Sequence, residues 1–407
     1  MSGTADTNGY AGKLGTGDET GAAGTGRPLR VLFISYYIDD PSVPGFAPKY
    51  ALLSERWRGD VLHLAPAYAE CGAGNFVFRG CAYHRGSVLL RQWRYLLFCL
   101  RHARRHGTYD LVISYDPMIC GLISLLVKRM VGAKLLVEVN TDHFYRPEAE
   151  RESLKARVMR WVKTGMMRLS FAGADAVKFI NSRLAEDYGH RFGRLRPGRA
   201  GGPVCDSFFS FIGTQAFGPD AAAEGRVILT VGHPYWVKGV DVLIRAFNRI
   251  APLYPDVRLK IIGMCPDLAA YQSMVGDAAR VEFLPGISHR EIVPYFQQCL
   301  FYVLASRTES MGRVMIEAMA CGKAVVGARV GGVPDVIADG ETGLLFRSED
   351  DADLASKMAM LLDDPALCRR MGEAGLHRCG TEFTPERYTE RYFWFADRIL
   401  ARGGEGA

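Results

Sequence analysis

The sequence predicts an α/β protein of two doubly wound domains that face one another across a cleft. Three observations predict it. Short apolar or β-branched runs alternate with stretches of helical period, the pattern of a parallel sheet covered by helices on both faces. A Gly-, Pro- and Arg-rich stretch at 191–225 interrupts the alternation, which then starts again. At 407 residues the chain also exceeds one ordinary domain, for which about 100–200 residues is usual.

The elements follow in order. Residues 1–26 are a Gly/Thr/Ala tail without periodicity, with neither the apolar core of a signal peptide nor the Arg-rich face of a transit peptide. The first domain, 27–205, carries strand-like runs at 30–37, 60–66, 109–116, 133–139 and 175–181. Its longest uncharged apolar run, Met118 to Val127, is too short to cross a bilayer and predicts a buried helix. A linker is placed at 206–224. The second domain, 225–383, repeats the rhythm with strands near 226–232, 257–263, 280–286, 300–305, 323–328 and 342–346, and a helix at Val240–Ile250. Residues 384–402 form a last helix whose Tyr388, Tyr392 and Phe395 suit it to cross back and brace the first domain.

Composition narrows the function classes. With 48% apolar and 11% aromatic residues, disorder is excluded for all but the ends. The ten cysteines stand singly, without C-x-x-C pairs or zinc spacing, so neither a disulfide framework nor a structural metal site is indicated and a reducing cytoplasm fits. Charge is uneven: 27–220 carries a net +11, and 221 onward a net −3. The basic half is expected to meet something anionic.

Two carboxylates eight residues apart, Glu309 and Glu317, draw attention to "RTESMGRVMIEAMACGKAVVG". A strand ends before this stretch and Gly312 opens a helix reaching about Met319. Glu309 thus sits beyond a strand's carboxyl end and just before a helix N-terminus, where ligands of α/β sheets bind. For Glu317 an i,i+4 ion pair with Arg313 is an equally good reading. A second loop, "VGHPYWVKG", follows the first strand of the same sheet and brings Gly232, His233 and Lys238 to a phosphate-binding position, although a lone lysine is more often a solvated charge. A third, "ARVGGVPDVIADGETGLLF", supplies unhindered backbone.

In their order and spacing these three segments resemble the retaining glycosyltransferases of family 4, with two-domain GT-B architecture; the resemblance is strongest from Arg226 to Phe346. It implies that Glu309 binds hydroxyls of the donor sugar, Glu317 the ribose, and Lys238 the diphosphate, with Ser310 and the amides from Met311 through Gly312 and Arg313 to Val314 facing sugar and phosphates. A carboxylate accepts hydrogen bonds from vicinal hydroxyls. Lys238 and those amides would stabilise charge on the leaving oxygen. His233 stands where the family usually has a second arginine. The first domain departs further, offering only Gly45 and Phe46 in place of a Gly-Gly loop. His143, with Asn140 and Asp142 beside it, falls where the family often has an active-site histidine; without the resemblance it reads as a surface residue. The resemblance also implies retention of configuration and a nucleotide diphosphate sugar as co-substrate, uridine by default and guanosine not excluded. No cofactor or metal is expected. The literal D-x-D at Asp351–Asp353 opens a helix, where aspartate suits the cap and first turn.

From Cys71 to Tyr109 there are seven arginines and no acid. The helical period from Ser87 to Gly107 places Leu89, Trp93, Leu96, Leu97 and Leu100 on one face and Arg91, Arg94, Arg101 and Arg105 on another, with Tyr95 and Phe98 toward the arginines. Peripheral contact with an anionic membrane and a solvated basic face are equally open from this segment. A second basic helix, with Lys155, Arg157, Arg160, Lys163 and Arg168, tilts the expectation toward a lipid-linked or other glycan acceptor at the inner face of the cytoplasmic membrane. Nucleic acid is not expected, since no reader module is present and the second domain is mildly acidic. A transferase acting on a soluble small molecule and a catalytically silent sugar-nucleotide-binding subunit are the rival readings.

Overall fold

A computed structural model describes residues 27–37, 46–83, 86–145, 153–195, 201–209, 217–219 and 225–401. Gly45 and the N-terminal tail lie outside the described residues, and Phe46 begins the first helix.

The first domain contains β1 (Leu29–Tyr37), α1 (Phe46–Leu53), β2 (Trp57–Ala65), β3 (Glu70–Ala73), β4 (Phe76–Ala82), α2 (Val88–His106), β5 (Leu111–Ser114), α3 (Ile119–Val131), β6 (Lys134–Val139), α4 (Leu154–Gly173), β7 (Ala176–Phe179), α5 (Ser182–Phe192) and β8 (Val204–Ser207). Its eight strands run in the order β3-β4-β2-β1-β5-β6-β7-β8, all parallel except the β3–β4 hairpin. Strand β8 comes out of the Gly- and Pro-rich stretch and pairs with β7.

The second domain contains β9 (Arg226–Val231), α6 (Val240–Ile250), β10 (Val257–Ile262), α7 (Leu268–Gln272), β11 (Val281–Leu284), α8 (Val293–Gln298), β12 (Phe301–Leu304), α9 (Arg313–Ala320), β13 (Ala324–Ala328), α10 (Val333–Val336), β14 (Gly343–Phe346), α11 (Asp351–Asp363) and α12 (Pro365–Glu382). Its six strands are parallel in the order β11-β10-β9-β12-β13-β14. The chain moves outward from β9 and returns on its other side at β12, so a crevice opens where the loops after β9 and β12 diverge. The corresponding point in the first sheet lies between β1 and β5.

Helix α13 (Pro385–Ala401) crosses back as expected. Its Tyr392 and Phe393 rings pack 5.5 and 5.1 Å from that of Trp57. Beneath it lies a buried polar cluster. Glu138 of β6 accepts hydrogen bonds from the Tyr392 hydroxyl and from Asn140 Nδ2 (2.9 Å), and Lys178 Nζ stands 3.4 Å away. Lys49 Nζ donates to the Tyr115 hydroxyl at 2.8 Å. Burial pushes Lys49 down to about 8. Burial opposes ionisation of Glu138, yet the two lysines hold its carboxyl below the usual range.

One assignment is corrected. Tyr95 is not at the surface of α2: it is fully buried, and its hydroxyl donates to the carbonyls of Ser35 (2.5 Å) and Leu62 (2.8 Å). The face of α2 turned to the core is Tyr95, Cys99, His102 and Ala103, while Leu89 and Trp93 are exposed. Burying a tyrosine is favourable once its hydroxyl finds partners, and the ends of β1 and β2 supply two carbonyls. Phe98 is partly buried, and Arg91 is drawn inward to Tyr36 and Tyr83.

Candidate active site

The loops after β9 and β12 meet at Lys238 and Glu309. Lys238 Nζ donates to Glu309 Oε2 at 2.7 Å, and both side chains are largely sheltered. Two glycines make this approach possible. A Cβ on Gly232 would crowd the Lys238 stem at 3.0 Å, and one on Gly239 (φ +62) would lie 1.9 Å from the Ala305 carbonyl. Arg307 fixes the same loop by pairing both guanidinium nitrogens with Asp241 at 2.8 Å, beside Glu349 and over the Trp236 ring.

Glu309 is gripped from its other side by the third loop. Gly332 N donates to the Glu309 carbonyl at 3.1 Å, and a Cβ on Gly331 (φ +48) would lie 1.9 Å from that oxygen. Gly312, at φ +75, then opens α9. The α9 face carrying Met315, Ile316, Ala318 and Met319 is buried.

Glu317 is buried on α9, and its partner differs from the expected one. His289 Nε2 lies 3.0 Å from Glu317 Oε1, whereas Arg313 is exposed and forms no ion pair among the described residues. The His289 ring packs edge-on against Phe217 at 5.2 Å. The hydroxyl of buried Tyr302 is pushed up by burial and, to a lesser degree, by the charges of Glu309 and Glu317. His233 is exposed.

A cavity of about 600 Å³ separates the domains, lined by Asp142, Arg183, Arg307, Glu309, Ser310 and Arg329 among others. Lys238, Glu317 and His143 do not line it. The Nε2 of His143 is buried without a hydrogen-bond partner among the described residues. Burial holds its imidazole below the ordinary histidine value, and thus neutral near pH 7. Asn140 is committed to Glu138, and Asp142 Oδ1 accepts from Phe144 N at 2.8 Å.

The domains are also joined directly. Asn181 Nδ2 donates to the Ser310 carbonyl at 2.6 Å, and Ser182 donates to Asp335 through its amide (2.7 Å) and hydroxyl (2.6 Å). Sequence reasoning missed this contact. Its signal was present, since Asn181 and Ser182 occupy the cap and first position of α5 beyond β7.

Residues 214–378 match a family described as the glycosyl transferases group 1. The alpha-maltose-1-phosphate synthase of Mycolicibacterium smegmatis is 30% identical over 308 residues, covering 67% of this chain and 75% of that protein. The chain is a group 1 glycosyl transferase. A D-inositol 3-phosphate glycosyltransferase of Thermobifida fusca is 34% identical over 166 residues, a match of 37% of this transferase and 38% of that enzyme's own length. Among solved structures, a sucrose-phosphate synthase from Thermosynechococcus elongatus superposes with a TM-score of 0.71 at 19% identity, over 92% of this chain and all of that one. The HepE protein of Anabaena, solved in complex with UDP, gives 0.68 at 16% identity over 91% of this chain and all of its own. The transferase therefore has the GT-B architecture, with α13 as its return crossing.

The expected aspartate roles take a specific form in the transferase. Asp350 is the cap of α11, accepting from the amides of Ala352 and Asp353. Asp351 receives Arg249 at 2.5 Å and Arg245 at 3.5 Å, and Asp353 accepts from Arg347 N at 2.8 Å.

Proposed function

We propose that the transferase moves a sugar, with retention and without a metal, from a nucleoside diphosphate sugar to an acceptor hydroxyl. Uridine is the default base, and the acceptor is a lipid-linked or surface-glycan precursor at an anionic membrane surface facing the cytoplasm. The observation that carries this reading is the Lys238–Glu309 contact at the crevice between β9 and β12, a cation and a carboxylate brought together by loops whose glycines permit the close approach.

In this reading Lys238, with Gly232, His233 and the amides from Met311 to Val314, receives the diphosphate. Glu309 accepts hydrogen bonds from hydroxyls of the donor sugar, and Glu317 from the ribose. The bond from the anomeric carbon to the β-phosphate oxygen breaks, the acceptor oxygen bonds to the same face of that carbon, and the acceptor proton passes to the departing phosphate oxygen. Positive charge fixed beside that oxygen lowers the barrier. Neutral His143, whose Nε2 has no protein partner among the described residues, suits a contact with sugar or acceptor. Metal independence is supported by Asp351 and Asp353, which are already engaged by arginine and amide partners.

The test is a transfer assay over a panel of nucleotide sugars, with the anomeric configuration of the product read by NMR and the reaction run in EDTA. A retained anomer and undiminished turnover in chelator are expected. An inverted product, or activity restored only by added magnesium or manganese, contradicts the reading.

A further inference from the structure

Helices α2, α3 and α4 lie side by side on one face of the first sheet, α3 packing against both neighbours. Together they carry twelve Lys and Arg and no Asp or Glu. Their outer surface is also apolar to a degree that a solvated basic face does not explain. On α2, Val88, Leu89, Leu90 and Trp93 (58% exposed) stand in solvent; on α4, Leu154, Val158, Met159 and Trp161 (78% exposed) do the same. Single exposed apolar residues are ordinary, but two such groups on neighbouring helices, each with a tryptophan among cations, have the composition of a membrane-interface surface.

Placement adds to this. In a parallel sheet the helices run antiparallel to the strands, so the first turns of α2 and α4 lie at the carboxyl edge, beside the interdomain cleft. Val88, Leu89, Leu90 and Leu154 open those first turns, with Trp93 one turn further along α2 and Trp161 about two turns along α4.

A second observation concerns the rest of α2. Arg94, Arg101 and Arg105 recur at helical spacing and line a cavity of about 420 Å³ against the β3–β4 hairpin, with Arg79 and Tyr68 opposite. Arg79 is neutralised by Asp60 (3.2 Å) and Glu70. Arg94, Arg101 and Arg105 have no acidic partner among the described residues. Three such guanidinium groups around one concavity form a receptor for a phosphate monoester or diester.

We infer that the outer face of α2 and α4 docks on an anionic lipid bilayer, with Trp93 and Trp161 at the headgroup–acyl boundary and Arg94, Arg101 and Arg105 holding a lipid phosphate. This deepens the membrane part of the proposed function but rests on surface residues alone, so it stands or falls independently of the donor site. Docking in this orientation sets the mouth of the cleft against the bilayer, where a lipid-linked acceptor emerges.

Sedimentation of the purified full chain with vesicles of phosphatidylcholine, alone or mixed with phosphatidylglycerol, tests it. Binding is expected to the mixed vesicles only. The Arg101→Gln/Arg105→Gln variant should weaken it roughly thirtyfold, taking each basic residue at its usual contribution near an anionic surface. The Trp93→Ser/Trp161→Ser variant should abolish it. Both variants should melt like the wild type and bind donor nucleotide unchanged, since all four residues lie outside the donor site. Equal sedimentation of variants and wild type overturns the inference. Stabilisation by glycerol 3-phosphate without vesicle binding, or binding to duplex DNA in preference to vesicles, overturns it as well.

Discussion

Lys238 Nζ and Glu309 Oε2 are 2.7 Å apart, each the other's charge partner at the end of a different strand. Any diphosphate that takes Lys238 must therefore draw it from Glu309, and a donor sugar then finds a released carboxylate. The two substitutions should behave oppositely. Lys238→Ala is expected to weaken nucleoside diphosphate binding and to lower turnover by about 10²–10³-fold, the usual cost of one fixed stabilising donor. Glu309→Gln should bind the free nucleoside diphosphate at least as tightly as wild type while sugar transfer falls. Calorimetric titration beside the transfer assay separates them.

The Gly331 position tests the loop that grips Glu309. Alanine there must adopt φ +48 and place a Cβ 1.9 Å from the Glu309 carbonyl, whereas Gly340, at φ +84, has open space around it. Gly340→Ala should cost about 1–2 kcal/mol from the left-handed backbone alone. Gly331→Ala should cost more, and only it should lose donor binding. Urea melts and nucleotide titrations of the pair make the comparison.

His289 supports the second carboxylate. Its ring nitrogen is 3.0 Å from Glu317 Oε1 and its ring packs edge-on against Phe217. Removing it as His289→Ala is expected to weaken nucleoside diphosphate binding by about 0.5–1.5 kcal/mol, a single hydrogen bond's worth. Binding of inorganic pyrophosphate should not change, because the ribose contact alone is disturbed. A loss equal for both ligands would count against Glu317 as the ribose carboxylate.

The cluster under α13 predicts a pH dependence. Lys49, depressed from 10.5 to about 8, binds fewer protons folded than unfolded between those values. Raising the pH across that window therefore favours the folded state, by of order 3 kcal/mol in total. Glu138 acts at the other end: its carboxyl is held low, so its stabilisation is present above the unfolded value and is lost as the pH falls through the folded one. Stability of the wild type relative to Lys49→Met, measured by denaturant melts, should rise from pH 8 to 10.5. A flat difference would contradict the buried charged lysine.

Most of the second domain was legible because its strands are apolar runs, or in β10 and β11 apolar residues interrupted by single charges, bounded by Gly, Pro or charge, and because Gly232, Gly239, Gly312 and Gly331 mark the sharp turns at the site. Strands β3, β4 and β8 were not read from the sequence; in β4 (Phe76–Ala82) Arg79 and Gly80 break the apolar run. Glu70–Ala73 has only Cys71 and Ala73 as apolar residues, and Val204–Ser207 is embedded among glycines and prolines; each forms by pairing with a strand beside it rather than by local preference. On α2 the leucines and Trp93 suggested the buried face, but the sheet selected the tyrosine, cysteine and histidine side because strand-end carbonyls and Asp60 satisfy their polar atoms there. The interdomain bonds of Asn181 and Ser182 depend on how the two sheets meet, which no local pattern encodes.

Titration of a panel of nucleoside diphosphates into the wild type, Lys238→Ala and Glu317→Ala decides whether the donor binds where β9 and β12 meet. One base is expected to bind the wild type, and both variants to lose that binding at least tenfold, as for a charged hydrogen bond of about 1.5–3 kcal/mol. Binding unchanged in both variants, or no binding of any nucleotide to the wild type, would contradict a donor site at the meeting point of β9 and β12.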